Sequence, residues 1–295
     1  MKNIPVTMFN CFSRYGQIKR LVDKLPPEQV SFLKTKMLRS SRTLENSLPR
    51  LKKVSAFDMV LDATRKALNT WMIIFLLLGI LMTIVIVFVL KLMWLSPVIG
   101  AAVIPLVIVW SMGRGLKAYD LPATFNEFCM PLFAILEEEM DKKSTLYLQL
   151  DLRGSELKEK LVNREKFGSG FAKTTQFIYH DPMFKCTADL VDKGRLHCEV
   201  TSIRRVRKIT KKSASGKYKM KTKRKTQAVV SVKLALPMQA AVKEGEKGKV
   251  KAGEKRNVLA FRKKIRNIQD ETELFNGVVA VIGDAYMCFY GRASA

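Results

Sequence analysis

The chain has 295 residues, enough for one large domain or two small ones. Lys and Arg number 52 against 26 Asp and Glu, a formal net charge of +26, while 48% of residues are hydrophobic. That apolar content excludes a wholly disordered chain, and its concentration in one block without acidic residues at 71–112 excludes an ordinary soluble globule.

Residues 1–30 carry Lys2, Arg14, Lys19, Arg20, Asp23, Lys24 and Glu28 with no apolar core between them, so no cleavable signal peptide is expected. Residues 1–70 read as a basic helical region. Pro26-Pro27 breaks it, and Glu28 to Ser47 sets Val30, Leu33, Met37 and Leu44 near helical spacing among Lys34, Lys36, Arg39 and Arg42. Such a helix either lies on anionic lipid or packs with a solvated basic face. Phe57 to Asn69 leads into the apolar block.

Trp71 to Leu90 is uncharged, and twenty helical residues span ~30 Å, the thickness of a bilayer core. Lys91 follows, then a second uncharged run from Leu92 to Met112. Ser96-Pro97 reads as a helix start. The expectation is a transmembrane hairpin over 71–112, with helices at about 71–91 and 96–112 and Pro105 kinking the second. Trp71, Trp94 and Trp110 sit at the ends of these runs, where indole prefers the membrane interface. A shallow re-entrant hairpin is the rival reading. Residues 1–70 hold 14 Lys/Arg against 5 Asp/Glu, and Arg114 and Lys117 follow the second run. The positive-inside rule therefore puts both flanks in the cytoplasm. No Asp, Glu, Arg or His interrupts either run, so a proton or ion relay has no residues to use.

Residues 113–143 read as a helical connector, with Phe128, Leu132, Ile135 and Leu136 at helical spacing. Glu137-Glu138-Glu139 diverge by about 100° each on a helix and read as a solvated face rather than a metal site. From 144 to 295 the pattern is that of an α+β domain. Leu146, Leu148, Leu150 and Leu152 alternate as a strand; residues 153–170 read as a loop or short helix. Gly168-Ser169-Gly170 lacks the Lys-Ser/Thr of a phosphate loop. Phe184 to Val200 reads as a hairpin around Asp192-Lys193-Gly194, pairing Leu190 with Leu196 and Ala188 with Cys198 and putting Gly194 in the left-handed conformation. Zinc binding by His180, Cys186, His197 and Cys198 would need ligands from both faces of that hairpin.

The most charged segment comes next. Arg204, Arg205, Arg207, Lys208, Lys211, Lys212, Lys217, Lys219, Lys221, Lys223, Arg224 and Lys225 fall within 22 residues that hold no acid. Lys217, Lys219, Lys221, Lys223 and Lys225 alternate, so on a strand they share one face ~6.7 Å apart. The expectation is a basic β-ribbon within a hairpin spanning 201–236, projecting beyond the core to contact a polyanion: lipid headgroups, nucleic acid or an acidic protein. A solvated edge whose lysines deter aggregation is the plainer alternative. Residues 241–256 read as a flexible loop, 257–268 are ambiguous, and Asp270 onward reads as a C-terminal helix or two short strands. The five cysteines are widely spaced and read as reduced thiols.

The sequence thus describes an α+β membrane protein: a two-helix transmembrane hairpin plus a cytoplasmic antiparallel β domain with a basic ribbon and a C-terminal helix. The function expected is a membrane-anchored, non-enzymatic scaffold or binding protein without cofactor, able to homo-oligomerise, in a bacterial inner membrane with both termini cytoplasmic. The alternative is a membrane-disrupting or pore-forming effector with a cytoplasmic sensing domain. No catalytic motif, metal set or small-molecule substrate is read from the residues.

Overall fold

In a computed structural model, residues 10–85, 96–168, 172–212, 216–237, 249–252 and 256–290 are described. The chain divides into a helical unit, residues 1–34 and 53–121, and a sheet unit, residues 35–52 and 122–295.

The helical unit contains α1 (Cys11–Lys24), α2 (Pro27–Thr35), most of α3 (Leu44–Ile84) and α4 (Ser96–Lys117). Along α3, Val54, Phe57, Leu61 and Leu68 recur near helical spacing and are buried. Asp58, also buried, accepts the Leu121 N–H at 2.9 Å, and Arg65 pairs with Asp120. Past Leu68 the pattern ends. Ile73, Leu76, Leu77, Leu78, Leu81 and Met82 are 47% to 58% exposed and point around the helix circumference. Among the described residues, α3 is the one helix long and apolar enough to cross a membrane. Two spanning helices were expected; one candidate, not a two-helix hairpin, is found among the described residues. α4 is helical through Pro105, and the expected turn with Lys91 and Trp94 lies outside the described residues.

Among the described residues the sheet unit has eight strands: β1 (Met37–Thr43), β2 (Thr145–Asp151), β3 (Leu161–Phe167), β4 (Ala172–Asp189), β5 (Arg195–Lys212), β6 (Tyr218–Pro237), β7 (Lys249–Ala252) and β8 (Arg256–Arg266). They form one antiparallel sheet in the order β1-β2-β4-β5-β6-β8-β7, with β3 also on β4. β2 and β3 share the same side of β4: β2 pairs with 184–188 and β3 with 174–179. A register shift between Pro182 and Phe184 lies in the gap, where proline, lacking an N–H, breaks no ladder on that side.

Period-two burial defines the core face. Leu146, Leu148 and Leu150 on β2, Leu196, Cys198 and Val200 on β5, and Val230, Val232 and Leu234 on β6 are buried together with Phe184. A π-helical turn, Phe125–Cys129, continues into α5 (Met130–Glu139), and Phe128 and Phe133 set their rings 5.5 and 6.1 Å from that of Phe184. The C-terminal helix α6 (Glu271–Tyr290) buries Leu274, Val278, Val281 and Ala285 and packs on β6 and β8. It lies so close that a Cβ on Gly277 would meet the Ile265 Cδ1 at 2.4 Å. This settles 271–290 as helix rather than two strands.

Four local expectations are corrected. The helix expected over 28–47 stops at Thr35; Lys36 turns the chain with φ 57°, and β1 follows as an edge strand on β2. Where a loop or short helix was expected at 153–170, a 3-10 turn, Lys158–Lys160, is present, but it is followed by β3, whose charged residues suit an edge strand and hide the alternation. The 184–200 hairpin is shifted by two residues, pairing Ala188 with Leu196 and Cys186 with Cys198; an even shift keeps the apolar faces matched. Its positive φ of 62° belongs to Lys193, while Gly194 is needed for space, since a Cβ there would meet Leu236 at 2.7 Å. Finally, residues 249–252 form β7 where a flexible loop was expected, and 257–266 belong to β8; residues 241–248 and 253–255 lie outside the described residues.

Candidate polyanion-binding face

Directly opposed residues in a sheet share a face, so the register sorts the cations. β5 and β6 pair Arg205 with Lys225, Arg207 with Lys223, Ile209 with Lys221 and Lys211 with Lys219. Seven cations from both arms therefore occupy one face, opposite α5 and α6, and all seven are exposed. The face continues across the sheet: Lys264 stands opposite Val229, Arg262 opposite Ser231 and Arg266 opposite Gln227. Lys185 and Lys233 lie in the same set of rows. The acids these rows contain are Glu165 and Glu199. Glu165 is engaged through Gln176, which donates to it at 3.2 Å and accepts from the Arg207 Nε at 2.7 Å.

The segment is not a free two-stranded ribbon. β4 follows β5 outward as far as the Ala172–Lys211 pair, and β3 lies outside β4. The basic residues thus stand on a sheet several strands wide, which keeps their spacing fixed.

The opposite face of the same strands carries Arg204, Lys208 and Arg224, and here the cations have partners. Glu156 reaches Arg224 at 2.9 Å and Arg204 at 3.5 Å. The Lys208 and Arg164 head groups each lie 5.4 Å from the centre of the Phe177 ring. Lys217 precedes β6 and is exposed; Lys212 ends β5, and its side chain lies outside the described residues. The twelve cations grouped by sequence are therefore divided by strand parity.

Sequence reasoning missed a buried charge cluster. Lys160, on the 3-10 turn, places its Nζ 2.6 Å from Asp181 and 3.1 Å from Asp151, and its side chain is 5% exposed. Arg153 closes on Asp151 through Nε at 3.0 Å and Nη2 at 2.9 Å, and pairs with Glu159 at 2.7 Å. Burial works against ionisation of Asp151, but hydrogen bonds from Arg153 and Lys160 prevail and hold its carboxyl down to about 2. Asp181 is raised, chiefly by burial. A cavity of about 250 Å³ adjoins the two acids, bordered by Ser155, Ser202, Arg204 and Thr226. Lys160, shared by the two carboxylates, joins β2, the 3-10 turn and β4. Residues separated by 30 positions and lying in a stretch without clear periodicity give no sequence signal for it.

His197 lies on the basic face with Thr187 Oγ1 2.9 Å from its Nδ1. Burial, then Lys185 and Lys233, lower its pKa, so it adds no charge at neutral pH. Among the described residues, no group of three His, Cys, Asp or Glu side chains is placed to hold a metal ion. In the helical unit Trp71 stacks on Phe75 at 5.2 Å and tilts against Phe12 at 6.0 Å, while the Arg114 guanidinium sits 5.1 Å over Trp110. Compared with known proteins, the chain matches no family model, and no curated protein or solved structure is similar to it.

Proposed function

We propose that this chain is a membrane-anchored, non-enzymatic binding protein whose sheet unit engages an anionic partner through its basic face. The observation that carries the reading is the division of charge by parity: exposed cations gathered from both arms of the hairpin on one face, and cations held by Glu156 and Phe177 on the other. Opposed like charges such as Arg205/Lys225 and Lys211/Lys219 repel in the free protein, and an arriving anion relieves that repulsion.

The anchor in this reading is a hairpin of α3 and α4. The uncovered apolar surface of α3 supports one arm. For the other, α4 offers 22 residues, ~33 Å at 1.5 Å each, with Ile104, Val107, Ile108 and Trp110 exposed. The charge asymmetry supports a cytoplasmic position for both flanks, and a bacterial inner membrane is the simplest setting for such a hairpin. Reporter fusions at Ser47, Ser96 and Ala295 test this; an Ala295 reporter active only on the outer side refutes the arrangement.

The binding test uses the full chain in nanodiscs of neutral phosphatidylcholine, presented with duplex DNA, RNA or vesicles containing phosphatidylserine. The variant carrying Lys217→Gln, Lys219→Gln, Lys221→Gln, Lys223→Gln and Lys225→Gln is expected to fold and insert normally but to bind far more weakly. Equal binding by this variant, or no binding by the parent at low salt, overturns the proposal.

A further inference from the structure

The basic face explains attraction to any polyanion, and its alternating charges do not choose among them. The end of the same hairpin does. Met220 and Tyr218 are 73% and 70% exposed, the two highest values among the large hydrophobic residues described. They occupy adjacent positions on one face of β6, opposite Thr210 and Lys212. Lys219 and Lys221 alternate with them and point to the other face, joined there by Lys211. Lys217 flanks them, close to Gly216, whose φ of 79° marks the end of the hairpin. The hairpin end is therefore two-sided: Tyr218 and Met220, with Lys212 opposite Tyr218, on one side, and a cluster of flexible ammonium groups on the other.

Resting on the polyanion reading above, we propose that this end is a lipid-docking site: Tyr218 and Met220 enter the interfacial layer of an anionic bilayer while Lys211, Lys217, Lys219 and Lys221 bind its headgroup phosphates. Each component has a physical role. A phenol ring is stable at the headgroup level with its hydroxyl still wet. Methionine is flexible and apolar, so it fits a fluid surface without a shaped pocket. Long lysine stems let the ammonium groups reach phosphate beside an inserted neighbour. Two successive side chains on one strand face lie ~6.7 Å apart, within the ~5–10 Å depth that interfacial anchors reach. Nucleic acid explains the charge equally well but gives no reason for Met220. Duplex phosphates offer nothing apolar to it, and single-strand recognition rests on several stacking rings, where this end supplies one. The chain also carries α3, able to cross a membrane, so a lipid surface is at high effective concentration for any site it bears.

The test compares three proteins in neutral nanodiscs: the parent, Tyr218→Ser with Met220→Ser, and Tyr218→Phe with Met220→Leu. Each is mixed with vesicles of phosphatidylcholine containing phosphatidylserine, and separately with duplex DNA and RNA; capture is read by co-flotation and by filter retention. The serine variant is expected to lose roughly tenfold in vesicle capture, as partial burial of two apolar side chains implies. Its nucleic-acid binding is unchanged, and the Phe/Leu variant behaves as the parent. If the serine variant captures vesicles as well as the parent while the five-lysine variant does not, lipid docking by this end is overturned and the polyanion reading stands. If nucleic acid is retained and anionic vesicles are not, the partner is nucleic acid and this inference falls alone. If none of the three binds, both readings fall together.

Discussion

The two faces of the same sheet use cations in opposite ways. On the core side, Lys160 is enclosed by Asp151 and Asp181, Arg224 and Arg204 close on Glu156, and Lys208 sits over Phe177. On the open side, Arg205, Arg207, Lys211, Lys219, Lys221, Lys223 and Lys225 face solvent and one another. The open side carries the larger share of the hairpin's cations, and pairing further separates charge that holds the fold from charge available to a partner.

The strongest way to break this contrast is to exchange the consequences of removing charge. Lys160→Met takes away the cation shared by two carboxylates whose side chains are 10% and 7% exposed. Breaking a buried ion pair by deleting one partner costs about 3–5 kcal/mol. Thermal unfolding of the detergent-solubilised chain is expected to shift strongly downward. The five Lys→Gln changes on the open face should leave stability equal or slightly higher, because Lys219 and Lys223 lose like-charged cross-strand partners in Lys211 and Arg207. A tolerated Lys160→Met, or unfolding by the open-face variant, would erase the distinction.

How far each face was legible follows from the same physics. The alternation of lysines in β6 showed in the sequence because strand parity is strict, and the even spacing of Val230, Val232 and Leu234 marked the core in the same way. The partner strand was harder: β5 carries its cations at uneven intervals, so only the register shows Arg205 and Arg207 joining Lys225 and Lys223. β1 and β3 were hidden because edge strands have little to bury; Met37-Leu38 precedes polar residues, and Asn163-Arg164-Glu165-Lys166 has no apolar alternation. The Lys160 cluster was invisible because its members come from β2, β4 and a turn that tertiary structure alone unites.

Binding sharpens the contrast next. If Lys217, Lys219, Lys221, Lys223 and Lys225 neutralise about five phosphates of duplex DNA, log affinity falls with log salt at a slope of roughly −4.5, or about 500-fold between about 50 and 200 mM. The five-lysine variant should lose most of that slope. Arg204→Gln, Lys208→Gln and Arg224→Gln together should change it little, since their charge is already engaged by Glu156 and Phe177. Equal loss from both sets would mean that total charge, rather than its placement, governs binding.

Acid tests the core side alone. The Asp151 carboxyl is depressed to about 2, against about 3.9 in an unfolded chain. Its stabilisation is therefore complete above pH ~4 and disappears as pH falls toward 2. The stability difference between the parent and Asp151→Asn should be constant from pH 7 to about 4.5 and shrink below that. A difference that instead grows as pH falls would show that the carboxyl is not held by Arg153 and Lys160.

The smallest effect concerns the thiols of the core side. Cys186 and Cys198 stand directly opposite on β4 and β5, each 1% exposed, and Cys129 is fully covered nearby. Opposed strand residues have Cα atoms about 4.5–5.5 Å apart, a separation a disulfide could bridge, so distance does not keep these thiols apart. Their protection is chemical. The nucleophile in exchange or alkylation is the thiolate, and burial raises the Cys129 thiol, while the Cys186 contact and burial together raise that of Cys198. Neither is ionised at neutral pH, and neither meets solvent without local opening. Peptide mapping after alkylation of the folded, detergent-solubilised protein should find Cys129, Cys186 and Cys198 unmodified under conditions that label all three within minutes in denaturant. Rapid labelling in the folded protein, or one zinc per chain lost on Cys198→Ala, would show that this side of the sheet is open and reactive, and the division between a sealed face and an available one would fail where it is now sharpest.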